Sequence, residues 1–296
     1  MLSRRQRLLN AVARYCQKPA LALVRPQWLA RKVFTLNAVT LYRRPPGLRT
    51  RALSGRCTQC AVDDHPTYGT ILYIHGGAFV IGDLTGYRHL IGTLARDTRM
   101  RGVYVDYRLA PEHPAPAALD DVTDAYEALA ADPASGPIAI AGDSAGGNLT
   151  LALLHRILAR DLPRPFAAVA LSPVTDLTFV NPSLTANRKS DLLVPMSWGL
   201  RGVRDYLAGQ DPSGPELSPI NGQYAGAPPI LIHTDTTEVL HDDARLMADR
   251  LRAQGVEVQL TQTTGQPHVN HLNIGLTPEA DAAVRDITDF LNRHRP

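Results

Sequence analysis

The stretch Ile138-Ala139-Ile140-Ala141-Gly142-Asp143-Ser144-Ala145-Gly146-Gly147-Asn148-Leu149 decides how this chain folds. Its first four residues are a short apolar run, the pattern of a strand buried on both faces. Leu149 to Arg160 reads as a helix. Between them lies G-x-S-x-G, which makes a nucleophile elbow only between a strand and a helix. That setting is met here. So tight a turn holds the serine in a strained backbone conformation and raises its hydroxyl above the sheet. The surrounding glycines let neighbouring chains pass close by. The helix that follows points its N-terminus at the site and favours developing negative charge. Ser144 is therefore the candidate nucleophile. A plain glycine-rich connection is the competing reading of the same residues.

Outward from this turn, apolar runs alternate with helical patterns from about residue 56 onward. Strands are expected at Ile71 to His75, Gly102 to Asp106, Ile138 to Ala141, Ala167 to Leu171, Ile230 to His233 and Val256 to Thr261. Helical segments fall near 85–99, 116–131, 145–160, 240–254 and 278–293. The runs are nearly continuous rather than alternating in polarity, so both faces of the sheet should be covered. The fold class is α/β, with a mostly parallel central sheet between helices. Ligands of such sheets bind outside the carboxyl ends of the strands. Two regions break the rhythm: the first 45 residues, closed by Arg43-Arg44-Pro45-Pro46-Gly47, and the Pro- and Gly-rich segment 177–226. The second contains a helix-like stretch from Trp198 to Leu207. Both are candidates for a lid.

At 296 residues the chain suits one large domain with a small lid. Three cysteines exclude a full disulfide framework and favour a reducing, cytoplasmic setting. Cys57 and Cys60 form C-x-x-C, but a zinc site needs two more ligands and only His65 is near. The pair reads as two small residues in a strand or turn. The net charge of +3 hides an asymmetry: residues 1 to 62 hold thirteen Lys or Arg and no Asp or Glu. Such an arm could touch anionic lipid, nucleic acid or an acidic substrate. The preferred reading is that it packs against the acidic remainder, with Leu8, Leu9, Val12 and Tyr15 at helical spacing. No stretch has the length of a membrane span, and no secretory signal is expected. The Arg-rich start also shares features with transit peptides.

The chemistry needs three further parts. His75-Gly76-Gly77-Ala78-Phe79 follows a strand directly and has the form of an oxyanion-stabilising loop. One well-placed N–H donor there stabilises the transition state by about 2.7–4 kcal/mol. Gly76, Gly77 and Ala145, the residue after the nucleophile, are the candidate donors. A serine also needs a base. In the chain order Ser–acid–His the base follows the last strand, which selects His268. His271 is the rival, and His233 reads as structural. The acid should follow the penultimate strand, where Asp235, Glu238, Asp242 and Asp243 all lie. Spacing does not choose among them.

The chain resembles the bacterial hormone-sensitive lipase family of α/β-hydrolases. The likeness rests on His75-Gly76-Gly77-Ala78-Phe79, Asp106-Tyr107-Arg108-Leu109-Ala110-Pro111-Glu112-His113-Pro114, Gly142 to Asn148, and Pro267-His268. It implies the α/β-hydrolase fold with a helical cap from 1–45 and 177–226 over a catalytic body of 46–176 and 227–296. The family's acid commonly opens an Asp-Pro-Leu-x-Asp pattern. Here Glu238-Val239-Leu240-His241-Asp242 takes its place, so Glu238 is implied as the acid and Asp242 as a supporting residue. The Arg, Glu and His of the 106–114 run are expected to tie the loop near the oxyanion site. The implied activity is a serine carboxylesterase acting on short- to medium-chain esters through an acyl-enzyme, with no cofactor or metal. Phe79, Leu193 and Trp198, with Leu192, are candidates for the substrate pocket. The implied partner is a small-molecule ester, with no nucleic acid and no stable membrane insertion; a homodimer is one form to expect. Two other readings compete. One is a ligand-binding protein on the same fold, as in plant hormone receptors that lost the histidine. The other is an amidase or lactonase sharing the triad.

Overall fold

The computed structural model describes residues 1–62 and 68–296. His65 lies outside the described residues. Among the described residues eight strands form one sheet: β1 (Leu48–Ala52), β2 (Cys57–Val62), β3 (Thr70–Ile74), β4 (Arg101–Val105), β5 (Ile138–Asp143), β6 (Ala167–Leu171), β7 (Ile230–Asp235) and β8 (Val258–Thr263). Their order is β1-β2-β4-β3-β5-β6-β7-β8. β1 pairs antiparallel with β2, and β2 with β4; all other pairs are parallel. Every residue of β3 to β7 is buried, as the continuous apolar runs require.

Among the described residues, ten α-helices accompany the sheet. They are α1 (Arg4–Val12), α2 (Lys18–Leu23), α3 (Gln27–Leu41), α4 (Leu84–Thr98), α5 (Ala117–Ala131), α6 (Ala145–Ala159), α7 (Ser183–Ala186), α8 (Met196–Leu207), α9 (His241–Ala253) and α10 (Pro278–His294). Helices α4 and α10 cover one face, packing Leu90, Ile91, Leu94, Ile287 and Phe290 against Ile71, Tyr73 and Val169. Helices α5, α6 and α9 cover the other, with Leu119, Leu153 and Met247 in the core that holds Leu72, Ile74 and Ile140. The α/β class, the parallel sheet and the covering helices are as expected.

Three expectations change. Strands β1 and β2 have no counterpart in the apolar pattern. β1 is an edge strand, nearly all exposed and carrying Arg49 and Arg51, so it has no apolar run to find. The last strand starts at Val258 rather than Val256. Gly255, at φ +78°, turns the chain after α9, and Val256 N bonds back to Leu251 O. The N-terminal face is also different. Gln6 and Ala13 are buried, while Leu8 (67% exposed) and Tyr15 (73%) face solvent.

Cys57 and Cys60 lie on β2 and belong to the cores on opposite sides of the sheet. Side chains three apart on a strand point to opposite faces, so the two thiols cannot chelate one ion. Burial pushes the Cys60 thiol up to about 12.

The arm and the 177–226 segment meet one another. Arg14 donates to Lys189 O, Lys18 to Asp191 O, and Gln27 to Asp205. Arg201 on α8 reaches Leu21 O and Val24 O. The arm's pairing with acidic residues includes Arg31–Glu112 and Arg56–Asp121, while most of its contacts with the 177–226 segment are to carbonyls.

Candidate active site

Strand β5 runs into α6 through Ser144, whose φ of 53° and ψ of −118° lie in a sparsely populated region. Strain of this kind costs roughly 1–3 kcal/mol and persists only where surrounding structure enforces it. Here Ser144 N donates to Leu171 O, and Asn148 N and Val174 N donate to Ser144 O. The glycines are dictated by space. A Cβ on Gly146 would meet Ile74 O at 2.0 Å, and one on Gly142 would meet Gly146 O at 2.4 Å.

His268 and Glu238 come together as the sequence implied. His268 Nδ1 donates to Glu238 Oε2 at 2.6 Å, and both side chains are buried. The other carboxylate oxygen, Oε1, accepts from Ser172 Oγ at 2.8 Å and Asp235 N at 3.0 Å. Burial alone would lower the His268 pKa, but the charge and hydrogen bond of Glu238 outweigh it. The net shift is upward. Among the described residues, neither Ser144 Oγ nor His268 Nε2 has a hydrogen-bond partner. Unliganded sites often hold such bonds long, to tighten only with substrate.

The remaining carboxylates have other tasks. Asp235 accepts from Thr237 N, Gly265 N, Gln266 N and Thr263 Oγ1, so it staples the loop that carries His268. Asp242 accepts from Ser183 N and pairs with Arg245. Asp243 accepts from Thr175 N and Asn181. The rival His271 bonds His233 at 2.9 Å and does not reach Ser144's cavity. Burial, with the nearby His233 and His268, holds it well below the usual histidine range.

The oxyanion loop brings a correction. Gly76 was expected to donate to substrate, but its N–H bonds Asp143 Oδ1 and Tyr87 Oη, each at 3.1 Å. Asp143 lies beneath the loop, held also by Tyr73 Oη at 3.0 Å. Burial pushes its carboxyl up to about 6, against the hydrogen bonds from Tyr73 and Tyr87. The next N–H groups, Gly77 and Ala78, have no acceptor among the described residues. Both residues adopt positive φ, at 117° and 52°. Ala145 begins α6, where an N–H has no intrahelical partner.

His75 supports this loop rather than acting as base. It is stacked on Tyr107 at 4.1 Å, bonds Gly76 O, and is held neutral by burial, which pulls its pKa down to about 4. The 106–114 run ties differently from expectation. Tyr107 Oη donates to His75 O, and Ala110 N to Phe79 O. Arg108 instead pairs with Asp121, Glu112 with Arg31 of the arm, and His113 is exposed. Sequence reading missed three supports: Asp143 as a clamp, Ser172 on Glu238, and Asp191. The last accepts from Leu193 N, Val194 N and Val239 N, binding the 177–226 segment to the Glu238 turn. A polar residue directly after a buried strand was the available signal for Ser172.

A cavity of about 170 Å³ is floored by Ser144, His268 and Gly77. Its walls include Leu21 and Phe34 from the arm and Leu193 and Trp198 from the 177–226 segment. A second cavity of about 40 Å³ also touches Ser144 and His268, beside Ala78, Phe79, Ala145 and Trp198. Phe79, Leu193 and Trp198 thus line these spaces; Leu192 lines neither.

Residues 71–272 match the family model for the α/β-hydrolase fold. This chain belongs to the bacterial hormone-sensitive lipase family of α/β-hydrolases. A crystal structure of an esterase from that family superposes with a TM-score of 0.92 at 30% identity, covering 100% of both chains. An esterase of Acinetobacter venetianus is 36% identical over 74% of this chain and 73% of its own. An acetyl-hydrolase of Streptomyces hygroscopicus is 35% identical over 75% of each. The fold and the family expected from the motifs are both met.

Proposed function

We propose that this carboxylic ester hydrolase works through Ser144, His268 and Glu238, with the N–H groups of Gly77, Ala78 and Ala145 facing the oxyanion. The observation that carries the reading is the buried 2.6 Å contact of Glu238 with His268, whose other nitrogen is free beside a strained Ser144. His268 Nε2 takes the Ser144 proton as Oγ attacks the ester carbonyl. Negative charge builds on the carbonyl oxygen and meets the three backbone donors. The tetrahedral intermediate collapses, and the alcohol leaves with the proton from His268. Water then repeats the route on the acyl-enzyme. Glu238 fixes the tautomer and stabilises the imidazolium without itself taking the proton.

Because Ser144 and His268 line both cavities, the two arms of an ester would enter spaces of unequal size. That supports esters with one small substituent, in keeping with the short- to medium-chain reading. The arm (1–45) and segment 177–226 act as the cap over the body of 46–176 and 227–296. Their shared wall of the larger cavity supports this. The free Nε2 of His268 also weighs against a ligand-binding protein that has lost its base. Ser144→Ala should abolish p-nitrophenyl ester hydrolysis, and an organophosphate should label only the unaltered enzyme. Turnover within tenfold of normal in Ser144→Ala, or no labelling of the unaltered chain, would overturn the proposal.

A further inference from the structure

The arm's outer surface is unusual for a chain whose described residues include no helix long and apolar enough to cross a membrane. Among the described residues ten large apolar side chains are strongly exposed, and seven of them belong to the first 41 residues. Helix α3 shows the pattern best. Its inner face, with Ala30, Phe34 and Ala38, lines the larger cavity. Its outer face places Trp28 (59% exposed), Leu36 (65%) and Val39 (59%) within one arc at helical spacing. A helix apolar on both faces is normally covered on both. Leu8, Tyr15 and Leu23 extend the same exposed character along α1, the π-helical turn Ala13–Gln17 and α2.

The arm's own charged residues are all of one sign. Residues 1 to 62 carry thirteen Lys or Arg and no acid. Arg4, Arg5, Arg7, Arg25, Lys32 and Arg43 are exposed, and among the described residues none pairs with a carboxylate. Lys32 lies over the Trp28 ring at 5.3 Å, with cation and indole presented together. Exposed aromatic and aliphatic side chains amid uncompensated cations match an anionic lipid surface: apolar groups enter the acyl boundary while the cations meet headgroups. A second copy of the same basic face would instead bring like charges together.

We infer that the N-terminal arm is a docking face for anionic lipid surfaces, seating the cap and the larger cavity against the bilayer. The inference goes beyond the esterase reading and does not depend on Ser144 being the nucleophile. The test is flotation of the full chain with two kinds of vesicle, phosphatidylcholine alone and phosphatidylcholine with about one third phosphatidylglycerol. At low salt, at least ~10-fold more protein should partition to the anionic vesicles, and raised salt should reduce this. Trp28→Ala with Leu36→Ala, and separately Arg4→Gln with Arg5→Gln and Arg7→Gln, should each lower that partition ~10-fold. Hydrolysis of a water-soluble ester should stay unchanged in both variants, which shows that they fold. Equal recovery from the two vesicle types, or variants that float like the parent, would overturn the inference. So would a dimer in lipid-free sedimentation that the Trp28 variant breaks, because the face would then belong to a second copy.

Discussion

Two acid–histidine pairs draw on β7: Glu238 follows it and meets His268 after β8, while His233 lies within it and meets Asp286 on α10. Glu238 holds His268 at 2.6 Å, and Asp286 holds His233 at 2.9 Å. By carboxylate contact alone they are alike. They differ in what the second ring nitrogen meets. His233 passes its Nδ1 to His271, so all its hydrogen-bonding capacity is spent inside the protein. His268 keeps Nε2 free in a cavity whose floor includes Ser144. A carboxylate therefore does not mark a general base. The mark is a free nitrogen facing both a nucleophile and room for substrate.

The largest effect should come from taking away the nucleophile that gives His268 its task. Ser144→Ala is expected to lower kcat by up to ~10⁶, leaving only the background from binding and oxyanion stabilisation. Glu238→Gln comes next. The amide would keep the shape but favour the wrong imidazole tautomer, and kcat should fall by about 10⁴ with KM little changed. Steady-state kinetics on a p-nitrophenyl ester read both. A Glu238→Gln enzyme within tenfold of normal would mean that burial alone positions His268.

How much of this contrast was legible beforehand depends on what decides each feature. Strands β3 to β7 are buried on both faces, so their apolar runs announce them; β1 is an edge whose exposed arginines do not. His268 follows from chain order, because a base past the last strand is what the topology permits. The acid needed more. Four carboxylates lie within a few residues of the end of β7, and only side-chain direction separates Glu238 from Asp235, which caps the 263–266 turn. Gly76 was misread for a similar reason. Which amide of a glycine-rich loop is free depends on a carboxylate packed beneath it, Asp143, supplied from another strand. The face of the arm was misread because apolar residues occur all round its helices, so periodicity does not select one side.

A smaller effect lies in pH. His268 must be neutral to accept the Ser144 proton, and its pKa is raised above the usual 6.5. The acid limb of kcat/KM should therefore fall above 6.5, with activity lost as pH drops through it. Weakening the Glu238 charge removes the upward pull and leaves burial, which acts downward. The residual activity of Glu238→Gln should therefore titrate at lower pH than that of the unaltered enzyme. A limb that stays in place would assign it to another group.

The smallest catalytic effect is expected where the second pair is broken. The Asp286 carboxyl is held down at about 2, chiefly by the hydrogen bond from His233 and helped by Thr261 and Gln259. Its folded-state pKa is depressed, so the stability it adds is present above the unfolded value and is lost as pH falls towards 2. Asp286→Asn should cost roughly 1–3 kcal/mol at neutral pH, because a charged acceptor of three polar groups is replaced by a neutral one. Urea unfolding measures this. In the same variant kcat/KM should stay within about threefold of normal, since nothing in the Asp286–His233–His271 chain touches the cavity of Ser144. Suppose instead that Asp286→Asn lost activity as Glu238→Gln does while keeping its stability. The two pairs would then form one coupled system, with the His268 loop held in its working position from behind by His271.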